Sequence, residues 1–196
     1  MSVPRKAGLC VLAAVTLAAC APPPTELQFP EISFADRAPF RFDAAAVEVV
    51  EAYRPPLESP HVEHEAPVAP GTALRHWVDQ RVAAAGSRGR VRVTIEDASI
   101  VETPLATNRD LEASLTTERA ARFEGSVALR IALIDDAGSE LAMVRAKSAR
   151  TRSLPEDATL RERDQLLFTL TQDLANDIDS IMSERIPAHF AEHLVP

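Results

Sequence analysis

Phe123-Glu124-Gly125-Ser126-Val127-Ala128-Leu129-Arg130-Ile131-Ala132-Leu133-Ile134 runs into Asp135-Asp136-Ala137-Gly138, and the chain returns through Leu141 to Thr151. Phe123, Gly125, Val127, Leu129, Ile131 and Leu133 fall on every second position. Only a strand puts alternate residues on one face, so this period predicts a strand with one buried side. Two Asp followed by Ala-Gly supply turn chemistry. The pair reads as an antiparallel hairpin, ended by Ser153-Leu154-Pro155-Glu156.

The elements around the hairpin follow from the same logic. After it, Leu160, Leu167, Leu170, Leu174, Ile178, Ile181 and Met182 form one helical stripe between about Thr159 and Arg185, with Pro187 stopping or kinking the helix. Asp173, Asn176, Asp177, Ser180 and Glu184 are expected to face away from that stripe. Before the hairpin, Val91, Val93 and Ile95 alternate with Arg90, Arg92 and Thr94, and the phase slips to Ala98 and Ile100, which predicts a bulge near Asp97. Residues 105–119 are polar and weakly patterned, a loop or a broken helix. Leu74, Trp77, Val78 and Val82 share a helix face between Thr72 and Ala85, with Gly86 as the stop. Val47 to Tyr53 reads as a strand, with Phe40–Phe42 at its start. The five prolines of residues 55–70 predict a long irregular loop.

The order is β-α-β-β-β-α. Two one-faced helices and a one-faced sheet cover each other most simply as an α+β two-layer sandwich. The sheet is expected to be mostly antiparallel, with both helices on one face and the other face wet.

Upstream lies a stretch of different character. Basic Arg5 and Lys6 precede an apolar run, Ala7 to Ala19, too short for a transmembrane helix of roughly 20 residues. The run ends in Leu17-Ala18-Ala19-Cys20. This resembles the lipobox of bacterial lipoproteins. The resemblance implies removal of residues 1–19, acylation of Cys20 through its sulfur and a further chain on its amine. The other readings of the stretch are a free Cys after an ordinary signal, or a signal anchor. Two or more acyl chains hold a protein stably on a membrane. Ala21 in place of Asp leans towards the outer membrane, with the domain on its periplasmic face. Residues 20–41 then read as the acylated Cys and a proline-rich tether, and residues 42–196 as one periplasmic domain. Phe29, Ile32, Phe34, Phe40 and Phe42 are unexpected in a bare tether, so part of it should lie against the domain.

Removing residues 1–19 from 196 leaves 177, enough for a single core without staples, and takes the formal charge from −8 to −10. An acidic chain argues against nucleic acid. Cys10 goes with the leader and Cys20 is spent on lipid, so no thiol remains for a disulfide, a nucleophile or a metal. No P-loop, dinucleotide fingerprint or nucleophile elbow is present, and no cofactor is expected.

Three patterns bear on function. Arg90, Arg92, Arg130, Arg145 and Lys147 stand out of phase with the apolar faces of their strands. On neighbouring strands they would form a basic patch on the open sheet face, suited to an anionic lipid head group or an acidic partner. His189-Phe190-Ala191-Glu192-His193 matches the H-x-x-E-H pattern of a metal-dependent hydrolase, with two His one helical turn apart and a Glu as base. Only three residues follow it, so no downstream acid supplies a third ligand, and a solvated amphipathic tail is the expectation. His61-Val62-Glu63-His64-Glu65 gathers donors in a proline-rich loop and reads as polar surface.

In architecture, residues 42–190 are similar to the lipopolysaccharide-assembly lipoproteins of the outer-membrane translocon and to auxiliary lipoproteins of ABC-type lipid transporters. No motif beyond the lipobox carries this likeness, so no residue role follows from it. The expectation is a non-enzymatic lipoprotein that binds a membrane-protein partner or an anionic lipid in envelope assembly or lipid transport. The alternatives are the metal-dependent hydrolase and a passive structural lipoprotein.

Overall fold

A computed structural model describes residues 28–105 and 119–196. The leader, Cys20 and residues 106–118 lie outside the described residues. The chain folds as an α+β sandwich whose order is β1 (Phe40–Phe42), β2 (Ala46–Glu51), α1 (Pro70–Arg81), β3 (Val82–Ala84), β4 (Arg90–Pro104), β5 (Arg119–Ile134), β6 (Glu140–Pro155) and α2 (Leu160–His189).

The main sheet has the order β2-β4-β5-β6. β5 and β6 are the hairpin expected from the alternation, and β4 joins β5 antiparallel. β2 runs parallel to β4, because α1 carries the chain back across the layer between them. The β4 register slips between Ile95 and Asp97, so Glu96 is the bulged residue. At the hairpin turn Asp135 N–H donates to the Ser139 carbonyl, and Ser139 N–H donates to Asp135 Oδ1 at 2.7 Å. Gly138 has φ +86°, a conformation that costs a side chain steric strain and glycine none.

Val91, Val93, Ile95, Phe123, Leu129, Ile131, Val144 and Ala146 turn one face of the sheet inward, where both helices pack. α2 buries Leu167, Leu170, Leu174, Ile178 and Met182. Gly125 sits under it: a Cβ there would lie 2.7 Å from Leu174 Cδ1, so the bare backbone sets how closely the helix can approach. Thr159 caps α2 in a capping box with Glu162, each bonding the other's backbone N–H. The backbone bond from Thr159, then that from its hydroxyl, hold the Glu162 carboxyl below its usual range.

Several elements differ from expectation. α1 stops at Arg81 rather than Ala85, because Val82–Ala84 pair with β1 as a separate two-stranded sheet. Phe40–Phe42 is therefore not the start of the next strand. A tight turn at Asp43–Ala45 divides the two, with Ala44 N–H on the Phe42 carbonyl and Gly86 N–H on the Ala44 carbonyl. α2 runs through Pro187 to His189. The proline removes one intrahelical donor, but Ile186 and Phe190 are both fully buried and hold the last turn down. Residues 55–70 are pinned rather than loose. His61 bridges Val101, Val62 N–H donates to the Ile100 carbonyl, and Glu102 N–H donates to the Pro60 carbonyl.

Part of the segment read as a tether lies against the domain, as its aromatic residues suggested. Ile32 and Phe34 are buried, and Phe29 packs on Phe168 of α2 at 5.1 Å between ring centres. Gln80 of α1 accepts from Phe34 N–H at 2.5 Å. Arg37 bonds the buried Asp179 of α2, and Arg81 bonds the Ala38 carbonyl. Residues 29–42 are thus fastened along the helical layer, and the packed domain begins before residue 42.

Candidate functional site on the open sheet face

All five predicted cations stand on the face of the sheet opposite the helices. In the register, Thr94, Arg130 and Arg145 lie in one row across three strands, Arg92, Ala132 and Met143 in the next, and Ala128 and Lys147 on the other side. Like charges directly opposite repel. Here each arginine has an acid close by. Glu48 on β2 accepts from Arg90 Nε at 2.8 Å and from Arg92 Nε at 3.1 Å. Arg130 bonds Glu140, and Arg145 bonds the bulged Glu96. The hydrogen bond from Arg92 holds the Glu48 carboxyl below its usual range. Burial opposes that, while Arg92 attraction and the Arg90 bond add to it. Lys147 has no ion-pair partner among the described residues.

The result is a face of alternating charge rather than a bare basic patch. The missed signal was available in part. Glu48 lies on the strand predicted over Val47–Tyr53, but which strand neighbours which is not written in periodicity. Met143 adds an exposed apolar side chain beside Ala132, and Leu141 stands exposed at the hairpin end.

The acids of α2 are differently placed from expectation. Asp177 does not face away: it accepts from Ser148 Oγ at 2.6 Å and from Arg150 through both nitrogens at 2.7 and 2.6 Å. Arg150 first, then Ser148, hold its carboxyl low against the opposing effect of burial. Asp173 pairs with Arg152 at 2.5 Å. The cause is that α2 lies along β6, whose helix-side positions past Ala146 carry Ser148, Arg150 and Arg152, in register with Val127, Gly125 and Phe123. Asn176, Ser180 and Glu184 do face solvent.

The H-x-x-E-H residues do not share one helix face. His189 ends α2 and its Nδ1 sits 2.9 Å from the Arg185 carbonyl. Glu192 and His193 lie in a separate 3-10 turn, beyond the break at Phe190. The turn itself has no buried residue, but its flanks are fastened: Phe190 is buried against Phe42, edge to face at 5.2 Å, and Val195 N–H donates to the Arg41 carbonyl. Among the described residues no group of three His, Cys, Asp or Glu is arranged to hold a metal ion.

The His61–Glu65 cluster is not all surface. Glu63 is buried, where it accepts from Tyr53 Oη at 2.7 Å and from Ile100 N–H at 3.1 Å. Burial first, then the bond to Glu63, push the Tyr53 phenol far above its usual range. His61 Nδ1 lies 3.6 Å from Glu63. Glu65 instead pairs with Arg163 of α2 at 2.8 Å. The pairing of Tyr53 with Glu63 went unread because it falls on no periodic face: the loop brings the two together.

No helix among the described residues is long and apolar enough to cross a membrane. No protein-family model matches the chain, and no curated protein sequence matches it. Solved structures do resemble it in outline. One is a minor lipoprotein of Acinetobacter baumannii, 12% identical, spanning 74% of this chain and 91% of that one, with a TM-score of 0.37. Another is the rare lipoprotein B of Shewanella oneidensis, 12% identical over 73% of this chain and 98% of that one, with a TM-score of 0.39. At such identity and superposition the likeness reaches no particular residue of this chain.

Proposed function

We propose that the chain is a lipid-anchored envelope lipoprotein, non-catalytic, whose sandwich domain presents the open sheet face to a protein partner. The observation that carries this reading is the opposition of two surfaces. Residues 29–42, which lead back to Cys20, are fastened to the helical layer through Phe168, Gln80, Arg81 and Asp179. The charged sheet face points the other way. Only residues 21–28 separate Cys20 from Phe29. A chain reaches at most about 3.3–3.6 Å per residue, so the domain would stand within roughly 30 Å of the anchored Cys. Acylation of Cys20, with residues 1–19 removed, supplies the anchor, and Ala21 favours the outer membrane.

The alternation of charge favours a protein over an anionic bilayer. Four of the five cations already have carboxylate neighbours, so the face offers specific pairings rather than a uniform positive field. The test is affinity capture from detergent-solubilised envelope with the full-length protein. Arg92, Arg130 and Arg145 are changed together to Glu. Loss of the captured partner with retained folding is the expected result. Unchanged capture overturns the sheet-face reading, and binding to anionic vesicles in place of a protein would move the proposal to lipid. The anchor is tested separately: Cys20→Ser should release the protein from membranes, and full retention at the processed size would sink it.

A further inference from the structure

The main sheet ends on one side at β6, and among the described residues no strand is bonded to the far side of β6. A free edge carries a row of unpaired amides and carbonyls, a template for one more strand. β6 has 16 residues, where about 5–6 is usual. From Ala142 to Leu154 its register on β5 is unbroken, so no bulge turns the edge aside. No proline or glycine interrupts that span. Short strands, prolines, bulges and charge are the usual guards of an edge, and charge is the one that this edge keeps.

Which groups point outward follows from the ladder. The Ile95 carbonyl accepts from Ala52 and Tyr53 on the β2 side, so the neighbouring Thr94 turns to β5. Its partner Arg130 therefore turns its amide and carbonyl to β4, and Arg145, opposite Arg130, turns its own away from the sheet. The Arg145 carbonyl fits this phase: it accepts from Arg185 of α2 at 2.6 Å. Alternation puts the backbone groups of Lys147, Ala149 and Thr151 outward as well.

The cations beside the edge decide which strand can settle there. Arg145, Arg150 and Arg152 already face Glu96, Asp177 and Asp173. Lys147 and Arg185 have no carboxylate partner among the described residues, and both are exposed. Lys147 stands on the open side of the sheet, and Arg185 reaches the rim from the helical side. Glu140, at the hairpin end, is the one acid on β6. A second copy laid on this edge would set cations against cations, which is destabilising.

We infer that the outer edge of β6 takes an extended segment of a partner protein as a fifth strand, with two successive acidic residues, one for Lys147 and one for Arg185. Backbone bonds supply the affinity of such an added strand. The two acids set its register, since successive side chains of a strand point to opposite faces. This goes beyond the open-face reading: it uses the rim of the sheet instead of its charged surface.

The test is hydrogen-exchange mass spectrometry of the full-length protein in zwitterionic nanodiscs. The probes are two synthetic peptides, Thr-Val-Thr-Glu-Glu-Val-Thr-Val and the same peptide with Lys-Lys in place of Glu-Glu. At saturation the glutamate peptide should slow exchange across residues 143–151 by about tenfold, the mark of new backbone bonds. The lysine peptide should leave it unchanged. Ala149→Pro removes an outward amide and no bond to β5, a change that an edge strand tolerates. It should abolish the protection with an unchanged circular dichroism spectrum. If that variant fails to fold, Lys147→Glu combined with Arg185→Glu decides, and should make the lysine peptide the protecting one. Absent protection by the glutamate peptide, protection that survives Ala149→Pro in a folded protein, equal protection by both peptides, a charge-reversed variant that still prefers glutamate, or a dimer that Ala149→Pro dissolves each overturns the inference. The variant of Arg92, Arg130 and Arg145 that tests the open face leaves the outward backbone groups in place, so the two readings fail separately.

Discussion

Of the ion-pair arrays in this small domain, one lies inside and one on the open sheet face, and the same residue types do different work in each. Around Asp179 the side chains of Arg81 and Asp179 are 6% and 2% exposed, and Asp179 accepts from Trp77 Nε1 and Arg81 Nε, each at 2.8 Å, and from Arg37. That knot ties α1, α2 and the incoming chain together. Arg81 also lies over the Phe40 ring at 4.5 Å and donates to Ser183 at 3.1 Å, so its guanidinium is fully engaged. On the open face, Arg145 and Glu96 are 46% and 23% exposed. Water competes there, and an exposed pair contributes little to stability. Burial thus separates a structural array from one free to exchange partners.

The contrast breaks most sharply at its buried end. Asp179→Ala should cost about 3–5 kcal/mol, because it strands the buried Arg81 charge and frees the incoming chain from α2. Urea unfolding at pH 7 measures it, and a midpoint within error of the parent protein would show that the knot is ornamental.

Acid probes the same residue more gently. Burial would raise the Asp179 carboxyl, but hydrogen bonds from Trp77 and Arg81, the Arg81 charge and the Arg37 bond outweigh it and hold the group below its usual value of 3.8. A group depressed in the fold stabilises it above its unfolded pKa and loses that contribution as pH falls through the folded value. Stability should therefore hold down to about pH 4 and fall below it. Asp179→Asn, less stable at neutral pH, should show a shallower loss over that window. Parallel pH profiles for the two proteins would remove Asp179 as the cause.

At the exposed end, Arg145→Gln should shift stability by less than about 1 kcal/mol. Its effect is expected in partner capture instead. A large stability loss with intact capture would reverse the roles of the two arrays.

Much of the framework was readable in advance, for a particular reason in each case. The β5–β6 hairpin follows from a period of two and an Asp-Asp-Ala-Gly turn, both local. The bulge at Glu96 was visible as a phase slip between Ile95 and Ala98. The α2 stripe was visible, but its end was misjudged: Pro187 is a strong local signal, overruled by the burial of Ile186 and Phe190. The same holds for Val82–Ala84, helical by periodicity and strand by pairing with Phe40–Phe42. Of the candidate site, the five cations and their shared face were legible. Their acids were not, because Glu48, Glu96 and Glu140 come from three different strands.

The sequence by itself determined the order of elements, the apolar face of each and the five cations that face outward, since these rest on spacing within one element. The likeness of Leu17-Ala18-Ala19-Cys20 to a lipobox is equally local. Tertiary structure alone decided what meets what. Trp77 and Asp179 are 102 residues apart and share a hydrogen bond. Tyr53 and Glu63 meet only because a loop is pinned to the edge of β4. Ile32 and Phe34, in a stretch that looks like a tether, join the core because the folded helical layer packs over them. Periodicity reports which side of an element is dry. It carries no record of which other element keeps it dry.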